Sequence, residues 1–205
     1  MTRRKKKKKS STLQESLEQM LERLQIEDWD LVLVGDGSGS NYERQCGWAS
    51  ISIEHQTFER QYWYGAMNYG TVNLAEMLAY LQPLSWYAAR EDERRRESRK
   101  NKQNYKSFRN VHIITDSKYC KQQGESDNLS PKKNGGFWRI FDTFTRHGII
   151  LHWHWIPRES VELNILVDQV AKETRLLLKQ NDIREVVERD QQGKIIKTVY
   201  DYNPN

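Results

Sequence analysis

Cysteine is scarce in this chain, and so are long apolar runs. Its two cysteines, Cys46 and Cys120, stand far apart among 205 residues and match no metal-binding or redox spacing. That excludes a disulfide-stapled scaffold and reads as a pair of reduced thiols in an intracellular protein. No apolar stretch approaches the roughly 18 residues that a bilayer span requires, so no membrane partner is expected. The basic start leads into a polar, amphipathic stretch instead of an apolar core, so no signal peptide is read. Acidic residues are absent from the first nine positions, which carry Arg3, Arg4 and Lys5 through Lys9.

That last absence accounts for the charge. The chain has 33 basic and 28 acidic residues, a net +5. Removing the seven basic residues of the tail leaves 26 against 28, so the body is slightly acidic. A basic tail of this kind favours polyanions through counterion release; as a bare address it suits a cytoplasmic protein, or a nuclear one in a eukaryote. Residues 1–9 are expected to be disordered. With 37% hydrophobic and 30% charged residues and a mean hydropathy of −0.91, the remainder reads as one soluble globular domain with extensions.

Along the chain, Thr12 and Glu15 form a capping-box pattern. Leu13, Leu17, Met20, Leu21 and Leu24 follow at helical spacing, so a short amphipathic helix is expected within 10–28. It packs on the body or serves a protein partner. Asp30 to Asp36 (DLVLVGD) reads as a strand covered on both faces. Residues 47–54 and 57–64 alternate as an antiparallel pair. Residues 73–88 carry Leu74, Met77, Leu78 and Leu81 at helical spacing, with Pro83 expected to break or kink the far end. VHIITD (111–116) and IILHWHWI (149–156) are further strands, with His152 and His154 read as packing or surface residues. Phe137 to Phe144 and residues 162–180 are helical. The order β-β-β-α-β-α-β-α implies an α/β fold around a mixed five-stranded sheet. A charged insertion at about 89–109 holds nine basic and four acidic residues between 90 and 109. It is either a solvated helical extension or a basic arm for a phosphate backbone. Residues 181–205 form a C-terminal extension, read as a β-hairpin turning at Asp190–Gly193, and are a second place where a protein partner could bind.

Four acids stand out against this framework. Asp36 and Asp116 close apolar strands; Glu76 and Asp168 lie on helices. A carboxylate at the end of a buried strand is costly unless something positive meets it. Four of them suggest a divalent cation, because hard cations take oxygen ligands.

The residues around these acids resemble those of a known family, ribonuclease H of the cellular type 1 kind. Asp36-Gly37-Ser38, Glu76, Thr115-Asp116-Ser117 and Asn164-x-x-x-Asp168 are similar to its motifs in its order. Lys133-Asn134 followed by Trp138, and Trp153-His-Trp155, are also similar. The resemblance covers about 30–178. It implies the RNase H-like fold in 29–180, with the first three strands antiparallel and helices flanking the sheet. It also implies a metal-dependent endonuclease that cuts the RNA strand of RNA–DNA hybrids and leaves 5′-phosphate and 3′-hydroxyl ends. Asp36, Glu76, Asp116 and Asp168 would be catalytic, holding two Mg²⁺ ions with Mn²⁺ as a substitute. Gly37, Ser38, Asn41, Asn73, Ser117 and Asn164 would meet substrate. The alternatives are a silent binding module of the same fold, or a relative that cuts DNA. The chain departs from the family where a loop histidine is expected, having Ile156-Pro-Arg-Glu-Ser-Val161 there, with Arg158 or Glu159 as candidate substitutes. It also lacks the basic protrusion before the Lys-Asn helix, and Val72 replaces an Asn.

Overall fold

The computed structural model describes residues 15–40, 45–101, 108–126, 134–179, 183–189 and 195–202. The basic tail, Thr12, Asn41, residues 102–107 of the insertion, Lys133 and the 190–194 turn lie outside them. Helix α1 is Leu17–Arg23, followed by β1 (Leu31–Gly39), β2 (Gln45–Glu54), β3 (Arg60–Asn68) and α2 (Val72–Asn101). After these come β4 (Asn110–Thr115), α3 (Lys118–Gly124), α4 (Gly135–Arg146), β5 (Ile150–Trp155) and α5 (Glu162–Lys179). Strands β6 (Ile183–Arg189) and β7 (Ile195–Tyr202) pair antiparallel with each other.

The main sheet has the order β3-β2-β1-β4-β5. Strands β1 to β3 form an antiparallel meander, while β4 runs parallel to β1 and β5 parallel to β4. The Leu-Val-Leu-Val run of β1 explains its central place. Alternate side chains of a strand face opposite ways. Leu31 and Leu33 join Met77, Tyr80, Leu84, Trp138 and Trp153 on the face covered by α2 and α4. Val32 and Val34 join Met20, Ile51, Ile156 and Val167 on the face covered by α1 and α5. Each fully buried aliphatic side chain contributes about 1.5–3 kcal/mol, so this strand is held from both sides.

On the α1 and α5 side, β4 and β5 carry stacked histidines. His112 lies with its ring centroid 4.5 Å from His152 and 5.1 Å from His154. The carbonyl of Asp28 can only accept, so His112 Nε2, 3.2 Å away, is the donor there. His112 Nδ1 then accepts from His154 Nε2 at 2.9 Å. Burial, followed by the charge of His112, lowers His154 to about 4. His112 and His154 form a packing element.

Three expectations are corrected, and one helix comes in addition. The first helix starts at Ser16, not Thr12. Ser16 Oγ accepts from the Gln19 N–H while Gln19 Oε1 accepts from the Ser16 N–H, a complete capping box. Glu15 is extended instead; it bridges to Val161 and takes two 2.7 Å bonds from Arg23. Strand β3 begins at 60, because 55–59 are consumed by a turn in which Phe58 has φ +53°. Of the two expected effects of Pro83, a break or a kink, the break does not occur. Proline forfeits one backbone bond, but Tyr80, Leu81, Leu84 and Tyr87 pack on both sides of it, and α2 runs on to Asn101. Residues 89–101 of the insertion are therefore the end of α2. Last, α3 was not foreseen; Ser117 caps it by accepting from Cys120 N–H at 3.3 Å.

Helix α1 uses its apolar face on the domain. Met20 is fully buried against the strand cluster, with Leu17 beside it. We expect Met20→Ala to cost about 2–4 kcal/mol in urea denaturation. A loss below half a kcal/mol would mean that α1 is not part of the core.

Candidate active site

Asp36 lies at the sixth position of β1, opposite Ala49 of β2. The next residue must be glycine for a packing reason. A Cβ on Gly37 would meet the Glu76 backbone nitrogen at 2.3 Å and Ala75 at 2.7 Å. The first turn of α2 therefore presses directly on the β1 backbone, and Glu76 is delivered beside Asp36. Asp116 follows the last residue of β4, the parallel neighbour of β1, and Asp168 lies in the second turn of α5.

The carboxylates of Asp36, Glu76 and Asp116 each place an oxygen within 4.8 Å of the other two. Among the described residues this is the one cluster of three side chains able to share a metal ion. Asp168 adjoins Asp36 and raises its pKa both through the contact and through its charge. Asp36 and Glu76 are 1% and 3% exposed. Oδ2 of Asp36, Oε2 of Glu76 and Oδ1 of Asp116 are buried without a hydrogen-bond partner. An unpaired buried charge of this kind is strongly unfavourable, and a hard cation is the partner that carboxylate oxygens suit. The residues fit a divalent ion.

The electrostatics follow. Burial raises the Asp36 carboxyl to about 7, the charges of Asp116 and Asp168 push it the same way, and the Gly37 N–H at 2.7 Å pulls it back. Burial, then Asp36 and Asp116, holds Glu76 well above the usual carboxylate range. Two cations answer part of this charge. Arg158 Nε donates to Asp116 Oδ2 at 3.0 Å, and Lys172 pairs with Asp168. The hydrogen bond to Asp116 raises the Arg158 guanidinium further.

The remaining candidates divide. Gly37 is buried at the cluster and Ser38 is half-buried beside it. Asn73 is half-buried in the first turn of α2. Asn164 is buried one turn before Asp168; its Oδ1 accepts from Glu159 N–H, and its Nδ2 has no partner. Ser117 serves as the α3 cap. Asn41 is outside the described residues. Of the two loop candidates, Arg158 reaches the acids. Glu159 turns with φ +57° and contributes its backbone N–H to Asn164.

No family model and no curated protein matches the sequence. Solved structures do match in shape. LC11 ribonuclease H1, isolated from compost and seen in complex with an RNA/DNA hybrid, superposes with a TM-score of 0.56 at 15% identity, over 73% of this chain and 99% of its own. The N-terminal RNase H domain of Rv2228c from Mycobacterium tuberculosis gives 0.53 at 15% identity, over 75% and 99%. Ribonuclease H1 of Halobacterium salinarum gives 0.51 at 17%, over 70% and 96%.

The chain has the ribonuclease H fold. Within it, sequence reasoning overlooked two features of the candidate site. Lys172 stands four residues after Asp168, a helical spacing that pairs opposite charges and that could have been read. Trp155 donates its indole N–H to the Asp116 carbonyl at 3.0 Å, fixing the backbone under that acid. Only the fold makes that contact, since 39 residues separate the two.

A pH signature follows from Asp36. Its pKa of about 7 in the metal-free fold exceeds the ordinary 3.8, so the native state holds a proton that the unfolded chain releases. Metal-free stability should therefore fall as pH rises from about 4 through 7. In EDTA at pH 8 we expect Asp36→Asn to be more stable than the parent by on the order of 1–2 kcal/mol, a gap that closes near pH 4. Mg²⁺ should raise the parent's Tm at pH 8 and leave the variant nearly unmoved. A variant less stable than the parent in EDTA at pH 8 would contradict this account of the charge.

Proposed function

We propose that the protein is a divalent-metal-dependent endonuclease that hydrolyses the RNA strand of RNA–DNA hybrids. The observation that carries the reading is the convergence of Asp36, Glu76 and Asp116 with three donor-less buried oxygens, and Asp168 at their side, on a ribonuclease H fold. Asp36, at the centre, would be shared between two Mg²⁺ positions; Glu76 and Asp116 would serve one, Asp168 the other, with Mn²⁺ as a substitute. Bound there, such cations would supply a lowered water pKa and positive charge for the departing 3′ oxygen. The chain's own part is positioning. Gly37 lets the start of α2 close on β1, which brings Glu76 to Asp36. Ser38, Asn73 and the free Nδ2 of Asn164 supply polar groups for sugar and phosphate oxygens, and a 2′-hydroxyl is what separates RNA from DNA at such a site.

Arg158 takes the place at which the family carries a histidine. An imidazole can accept and return a proton near neutral pH, whereas a guanidinium held above its already high pKa cannot. Arg158 is thus a fixed cation that orients Asp116 and neutralises phosphate charge. The pH–rate profile should follow the carboxylates and lack an imidazole limb.

The test uses end-labelled hybrid, duplex DNA and duplex RNA with Mg²⁺ or Mn²⁺. We expect cutting of the RNA strand of the hybrid alone, with 5′-phosphate and 3′-hydroxyl ends, and none by Asp36→Asn. Tight binding without cutting would support a silent binding module. Equal cutting of DNA would overturn hybrid specificity.

Arg158→Ala should slow single-turnover cleavage about tenfold, roughly 1.4 kcal/mol of barrier, with hybrid affinity little changed. If Glu159→Gln has that effect and Arg158→Ala does not, the substitute for the histidine is Glu159.

A further inference from the structure

Tyr80 is a fully buried phenol that no step above uses. It lies one helical turn after Glu76, on the face of α2 that meets the sheet. Its hydroxyl is 2.7 Å from the Gly35 carbonyl and 3.0 Å from the Ile114 carbonyl. Gly35 immediately precedes Asp36, and Ile114 stands two residues before Asp116. The paired register of the parallel strands β1 and β4 ends at Val34 and Ile114. The phenol thus bridges the two strands at the last rung of their ladder, where each goes on to carry an acid. Beyond that rung the β1–β4 register does not continue among the described residues.

The surroundings are shaped for this contact. A Cβ on Gly35 would lie 2.7 Å from Tyr80 Cε1 and 3.1 Å from Ala79 Cβ, so the ring occupies the space that glycine leaves. The far side of the ring meets Trp153 edge-on at a centroid distance of 5.7 Å. Trp153 itself packs on Trp138 and Phe141. The ring is clamped, and its one proton is shared between two acceptors on two strands.

We propose that Tyr80 is a positioning residue that sets the separation of Asp36 and Asp116 and ties both to the helix of Glu76, so that the cluster is held at cation-binding spacing before any cation arrives. The proposal rests on the reading of these acids as a metal cage. Removing the hydroxyl leaves both carbonyls without this donor and lets the strand ends drift. A cage preset by the fold binds its ion more tightly than one that must be gathered by it.

The experiment is a calorimetric titration of the metal-free full chain with Mn²⁺ alone, comparing the parent with Tyr80→Phe and Gly35→Ala. Tyr80→Phe keeps the ring and deletes the hydroxyl. Gly35→Ala keeps the hydroxyl and pushes the ring away from it. Both should weaken Mn²⁺ binding about five- to tenfold. In parallel assays both should lower kcat while KM for hybrid stays within twofold. A Tyr80→Phe protein that melts lower but binds Mn²⁺ as the parent does would overturn the positioning role and reduce Tyr80 to a packing residue. A parent chain that takes up no Mn²⁺ would overturn the cage itself, and that outcome is visible before either variant is compared. Loss of hybrid affinity with unchanged Mn²⁺ binding would also overturn the proposal, because it would place Tyr80's influence on the substrate and not on the ions.

Discussion

Burying Asp36 and Glu76 side by side is unfavourable, and the architecture around them is arranged against that cost. Neither carboxylate can reach bulk water; burial raises both pKa values, Asp116 raises both further, and Asp36 adds to the rise at Glu76. A protein could relieve the repulsion by moving one acid to the surface. This fold cannot, because Gly37 brings the α2 backbone into contact with β1 and fixes Glu76 over the strand. The relief comes from the rim: Arg158 answers Asp116 and Lys172 answers Asp168, both from exposed positions. The two innermost acids are left without such a partner; one oxygen of each remains unpaired, as does the Asp116 oxygen that Arg158 does not reach. The strain is concentrated where a small, highly charged guest would remove it.

What the sequence disclosed follows the range of the interaction that produces each feature. The Leu-Val-Leu-Val run is a local pattern, and it identified the central strand and the acid at its end. Asp116 and Asp168 were equally legible, since a strand terminus and a helical period locate them. Pro83 misled for the same reason. Its local effect is real, but the packing of Tyr80, Leu84 and Tyr87 on distant residues outweighs one missing backbone bond. Ser117 shows a middle case. Its place after Thr115-Asp116 suggested substrate contact, whereas the seven residues behind it form a helix too short for a period to announce, and Ser117 caps it. Tyr80 and Trp155 were not legible at all. Their hydrogen bonds join residues 45, 34 and 39 positions apart, and nothing in the neighbouring sequence marks a tyrosine or tryptophan for that purpose.

The loop from 156 to 161 illustrates how one departure is absorbed. Ile156 is buried and bonded back to the Thr115 carbonyl, so the loop starts in a fixed place beside Asp116. Glu159 accepts a left-handed backbone, and Asn164 accepts its N–H, which closes the loop tightly enough to aim Arg158 back at the acids. The short loop is therefore compatible with a charged group at the rim. The charged group it places there, a guanidinium, does not titrate near neutrality.

The long helix α2 places a limit on what the charged insertion can do. Its first turn carries Glu76, and its last described residue is Asn101. At 1.5 Å per residue those two positions are separated by about 38 Å of helix axis. Glu91 anchors the far part, accepting from the Phe108 N–H while Phe108 stacks on Tyr87 with their planes 7° apart. The basic residues beyond it thus project from the pole opposite the acids. On the function proposed above, a group there is too far from the acids to stand in for a protrusion that grips the substrate beside them. On that same function, a polyanion met there would affect residence on the substrate and not the chemistry at the acids.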